Sequence, residues 1–70
     1  MVKISPRAAR TNAGYNQSEM AHLLGISKSS LVNKENGRTE FLKSEATKFA
    51  EIVGMPEDEI DFSCSDRINK

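Results

Sequence analysis

Between Leu24 and Ser27 the chain ends one helix and begins another within three peptide steps. Gly25 takes the left-handed position that closes a helix without the strain a side chain would add. Ser27 then offers a hydroxyl to the free backbone N–H groups of the next first turn. Ile26, just before that cap, and Leu31, four residues beyond it, are spaced as a hydrophobic staple. A stop and a start this close leave no slack, so the two axes must cross steeply, as in a helix-turn-helix. Each flanking helix is only about two turns long and would melt alone. The pair therefore depends on a core supplied by the rest of the chain.

Similar punctuation divides the remainder. Ser5-Pro6 reads as an N-cap followed by proline at the first helical position, where its missing N–H does no harm. A first helix is expected from Pro6 to about Ala13, closed by Gly14; its apolar side is Ala9 and Ala13, with Ile4 folding back from before the cap. Asn16 and Glu19 have the spacing of a capping box for the second helix, with Tyr15 stapled onto Met20. Met20, Ala21 and Leu24 share its buried face. The third helix should run from Lys28 to about Glu35 and close at Asn36-Gly37. Asn-Gly also marks hairpins, but its flanks here do not alternate. Leu42, Ala46, Phe49, Ala50 and Val53 form a helical stripe over residues 42–53, with Phe41 at its start and Gly54 as its stop. A short fifth helix is expected from Met55-Pro56 to Ile60, with Pro56 at its first position and Ile60 and Phe62 closing the base of the core. Residues 63–70 carry no pattern and read as a frayed tail. The expectation is an all-α, five-helix domain over residues 1–62.

Seventy residues allow one small domain. Cys64 is the sole cysteine, so no intrachain disulfide can form, and no spaced Cys/His set suits zinc. The fold must rest on packing, in a reducing and hence cytoplasmic setting, with no cofactor or metal expected. No apolar run approaches the roughly 20 residues of a membrane span, and the first six residues lack the apolar stretch of a signal peptide. Ser18, Ser29, Ser30 and His22 have no arrangement suited to nucleophilic catalysis, and there is no glycine-rich phosphate loop. Five helices in so short a chain leave little room for a pocket, so neither an enzyme nor a small-molecule substrate is expected. The net charge is zero, yet unevenly spread. Residues 1–50 hold eight basic and four acidic side chains; residues 51–70 hold two basic and six acidic. A basic body with an acidic end suits a surface that meets a polyanion, although chance alone can divide charges this way in a small neutral protein.

The third helix divides its chemistry between two sides. Leu31 should face inward, while Lys28, Ser29, Val32 and Asn33 form a patch at i, i+1, i+4 and i+5. A cation, a hydroxyl, a small apolar surface and an amide are the groups that read base edges in a DNA major groove. The N–H groups at that helix's start favour phosphate. The plainer alternative is the solvent face of a polar helix. The sharp corner at Gly25 favours the first reading.

Gln17 to Gly37 reads QSEMAHLLGISKSSLVNKENG. This resembles the helix-turn-helix domains of phage Cro and CI repressors, the XRE family, over about residues 5–62. The most specific match is Gln17, Ala21, Leu24-Gly25, Ile26-Ser27, Leu31 and Glu35-Asn36-Gly37 in fixed spacing. Lys34-Glu35-x-Gly37, followed by Phe41 and Glu45-Ala46, resembles a branch common among phages of Gram-positive bacteria and their hosts. The resemblance implies a lambda-repressor-like domain with its helix-turn-helix at helices two and three, binding operator DNA as a homodimer in a phage or prophage repressor. It implies base contacts from Lys28, Ser29, Val32 and Asn33. It implies phosphate contacts from Gln17, Ser18, Ser30, Lys34, Asn36 and Arg38, and a structural ion pair between Arg10 and Glu35. Lys34 departs from the apolar residue common in the wider family; snorkelling over the core rim is its alternative to phosphate. Leu42 departs from the Ser or Thr usual before the fourth helix. The family's dimer surface falls at about Gly54 to Phe62. A protein-interaction module, such as an antirepressor or antitoxin-like partner, is the rival reading, because a monomer gains only one half-site of contact.

Overall fold

The computed structural model describes residues 3–62. The expected tail, 63–70, lies outside the described residues. Four α-helices follow in order: α1 (Pro6–Ala13), α2 (Gln17–Leu24), α3 (Lys28–Glu35) and α4 (Lys43–Val53), then a 3₁₀ turn at Glu57–Glu59.

Three of the helices are capped by side chains at their first turn. Ser5 Oγ accepts from the Ala8 N–H at 3.1 Å, and Pro6 opens α1. At α2 the capping box is complete: the Glu19 N–H donates to Asn16 Oδ1 at 2.7 Å, and the Asn16 N–H donates to Glu19 Oε1 at 2.9 Å. At α3, Ser27 Oγ accepts from the Ser30 N–H at 3.0 Å. The corner after α2 rests on Gly25, held at φ +77°, where a β-carbon would be strained.

Leu42 begins α4 with the extended backbone of a cap, φ −71° and ψ 156°, but leucine has no oxygen to offer. Only the reciprocal half of a box forms, from the Leu42 N–H to Glu45 Oε1 at 2.9 Å.

The expected fifth α-helix is instead a single 3₁₀ turn, so the α-helices number four among the described residues. Pro56 precedes the turn with an extended backbone, φ −60° and ψ 138°, and does not occupy a first helical position. The reason lies at the far end of the chain. Ile60 is extended and pairs in parallel with Ile4 as an isolated bridge. The Ile4 N–H donates to the Glu59 carbonyl at 3.2 Å, and the Asp61 N–H donates to the Ile4 carbonyl at 2.8 Å. A helix running on through Ile60 would turn these groups along its own axis, away from Ile4.

The core lies where α1 and α2 pack on α4 and α2 packs on α3. Met20, Leu31 and Phe49 are fully enclosed there, with Ala9, Ala21, Ala50 and Ile60 around them. The alanines let the short helices approach closely. Phe41, Phe49 and Phe62 meet edge to face, with ring centroids 5.1 to 5.6 Å apart. Each such pair adds about 0.5–1.5 kcal/mol beyond its buried area. Ile4, Tyr15, Leu24 and Ile26 are half-buried against the same cluster. The result holds α3 by its Leu31 side and leaves the opposite side outward.

Candidate nucleic-acid interface

Lys28 and Ser29 are exposed on the first turn of α3, while Val32 and Asn33 are half-buried one turn later. All four line one shallow depression of about 270 Å³. Its walls carry an ammonium, a hydroxyl, two methyl groups and an amide. These groups match the hydrogen-bonding and methyl features of base-pair edges.

Asn33 has two tasks. Its side chain lines the depression, while its carbonyl accepts from the N–H groups of Arg38 at 2.9 Å and Thr39 at 3.4 Å. The loop after α3, turned by Gly37 at φ +81°, is thereby tied to a residue of the patch.

A buried ionic network braces α3 from behind. Arg10 Nε donates to Glu35 Oε2 at 2.7 Å and Nη2 donates to Oε1 at 3.2 Å. Arg10 Nη1 donates to the Tyr15 carbonyl at 2.9 Å. Gln17 Nε2 donates to Glu35 Oε1 at 3.3 Å. Both charged residues are buried. The fork-on-fork geometry and the added donors offset the cost of removing two charges from water. The network joins α1, the turn at Tyr15, the start of α2 and the end of α3, and so fixes where the patch points.

The other residues expected at the interface have varied settings. Ser18 is exposed on the first turn of α2. Gln17 is half-buried and engaged with Glu35. The Ser30 hydroxyl lies 3.1 Å from Ser27 Oγ, within the cap of α3. Asn36 Oδ1 accepts from Arg7 Nη2 at 2.8 Å. Arg38 is exposed beyond Gly37. Lys34 turns away from the patch. Its Nζ donates to the Glu40 carbonyl at 3.1 Å and lies 3.0 Å from Glu45 Oε1, with only 12% of the side chain exposed. Arg7 was not among the expected residues. Besides holding Asn36, its Nε lies 3.9 Å from Glu35 Oε1. The signal for it was its i, i+3 spacing from Arg10 on the first helix.

A second depression, about 550 Å³, lies across the molecule's other elements and is lined by Lys3, Lys43, Glu57, Asp58, Ile60, Asp61 and Phe62. It is larger but less suited to a polyanion, because carboxylates line it. The hydrogen bond from Lys43 Nζ, at 2.9 Å, and that from Thr47 Oγ1, at 3.0 Å, hold the pKa of the Glu57 carboxyl below its ordinary value. Among the described residues no group of three or more His, Cys, Asp or Glu is placed to hold a metal ion. No described helix is long and apolar enough to cross a membrane.

Residues 7–60 match a protein family described as helix-turn-helix. No curated protein matches the chain. No solved structure matches it either.

Proposed function

The chain belongs to the XRE-type helix-turn-helix family of DNA-binding transcription regulators, and from that premise we propose that it binds a specific operator in double-stranded DNA as a repressor of phage or prophage origin. The observation that carries this reading is the outward patch of Lys28, Ser29, Val32 and Asn33 on a helix whose other side is locked into the core. In this reading α3 enters the major groove. Lys28, Ser29 and Asn33 hydrogen-bond base edges, and Val32 touches a thymine methyl. Ser18, Gln17, Ser30, Asn36 and Arg38 contact the sugar–phosphate backbone along the rim, which sets register without reading sequence. A domain seated on an operator excludes other proteins from the same DNA, the simplest route to repression. Such work belongs to the compartment that holds the DNA, the cytoplasm for a phage or its host.

One α3 covers one half-site. Specific affinity therefore calls for two copies related by a two-fold axis, with Gly54–Phe62 as the proposed contact between them. Selection from random duplexes, followed by footprinting, tests the whole reading. A palindromic site with half-site centres about 34 Å apart is the expected outcome. A chain that sediments as a monomer and ignores duplex DNA at low salt would instead favour the protein-interaction module.

A further inference from the structure

We propose that Lys34 and Glu45 form a clamp that sets the loop between α3 and α4 against the recognition face, so that Lys34 is a positioning residue and not a phosphate contact. The inference rests on the proposed DNA-binding role and assigns that site a residue it lacks. Glu45 Oε1 takes two donors at once: Lys34 Nζ at 3.0 Å and the Leu42 N–H at 2.9 Å. The side chains of Lys34 and Glu45 are 12% and 13% exposed, so water competes weakly for either. Lys34 Nζ also donates to the Glu40 carbonyl at 3.1 Å. The last turn of α3, the far half of the loop and the first turn of α4 thus converge on one ammonium group.

The near half of the loop is tied to α3 by the Arg38 and Thr39 N–H groups on the Asn33 carbonyl, bonds that last only while the clamp holds the far half. With both halves fixed, Arg38 stands at a set distance from Asn33, the relation that a phosphate contact beside a base contact requires. The clamp also explains how α4 starts without a capping side chain at Leu42: the carboxylate that caps it from within is held in place by Lys34.

The sign of a charge change separates the two roles of Lys34. Neutralising a glutamate near DNA ordinarily strengthens binding to a polyanion. The test compares Glu45→Gln, Glu40→Gln, Lys34→Met and the double variant Lys34→Met/Glu45→Gln on a duplex recovered by selection from random sequences. The clamp predicts that Glu45→Gln weakens binding roughly five- to tenfold, as coupled neighbours do. Lys34→Met weakens it similarly, and the double variant is no worse than Lys34→Met alone. Glu40→Gln, whose side chain is outside the clamp, strengthens binding. Amide exchange at Arg38 and Thr39 should quicken in both clamp variants while the amides of Leu31 and Phe49 keep their protection. If Glu45→Gln strengthens binding as Glu40→Gln does, Lys34 serves phosphate directly and the clamp is overturned. Unchanged exchange at Arg38 and Thr39 overturns it too. A wild-type chain that binds no duplex defeats the DNA-binding role instead, while the exchange measurement still tests the clamp.

Discussion

Glu35 receives three hydrogen bonds on two oxygens, from Arg10 and Gln17, in a position closed to water. Removing one member of such a pair strands the other charge, which costs about 3–5 kcal/mol. Native domains have about 0.05–0.15 kcal/mol of stability per residue, so Arg10→Met should remove about a third or more of the total and lower the urea midpoint sharply. Arg10→Met/Glu35→Leu should recover most of the loss, because neither charge is then buried alone. The outward residues behave differently. Asn33→Ala should weaken cognate DNA by about 1–3 kcal/mol and random DNA far less, as gel-shift titrations on both would show. Arg38→Ala should weaken both equally and reduce the slope of log affinity against log salt by about 0.9. An unchanged slope would remove Arg38 from the phosphate contacts.

Among the elements, Leu42 is the weak start. It has the backbone of an N-cap, and 62% of it is exposed, so replacing it sacrifices little packing. Leu42→Ser supplies the missing acceptor and should stabilise the fold by about 1 kcal/mol in urea titrations. Asn16→Ala, at the complete box of α2, should cost about the same. These contrasts show what local sequence can carry. Ser5, Asn16 and Ser27 each cap the helix that their spacing implies, because a cap involves atoms only three residues apart. The stretch after Pro56 misleads because its outcome is decided by Ile4, which is nearby in space and remote in sequence. Lys34 is opaque for a similar reason. Its partners, the Glu40 carbonyl and Glu45, reach it only once the loop has folded. The patch on α3 was legible because a single helix presents it, but the brace that aims it includes Arg7 and Gln17 from two other helices.

At the scale of the molecule, carboxylates gather most densely around the 3₁₀ turn, with Lys3 and Lys43 beside them. Lys28 and Arg38 belong to α3 and its loop, whereas Glu57, Asp58 and Asp61 gather around the 3₁₀ turn. The Lys43 and Thr47 hydrogen bonds that hold Glu57 below its ordinary value also link α4 to that turn. A carboxylate with a depressed folded-state pKa contributes stability above its unfolded value and loses it as pH falls through the folded one. The contribution should thus be present at neutral pH and fade in acid below the usual glutamate range. Glu57→Gln should lower stability slightly near pH 7 and leave it unchanged in acid, which flattens the acid limb of a stability–pH curve. A limb unaltered by that substitution would show that the link adds nothing measurable, as exposed ion pairs often do.

The Ile4–Ile60 pairing brings nearly opposite ends of the described chain side by side, running in the same direction. Traction on the two ends would pull these segments past each other and load both backbone bonds together in shear. The seam should part before Phe49 is disturbed, so a tethered molecule stretched by its ends would yield first at its closure and keep α3 seated.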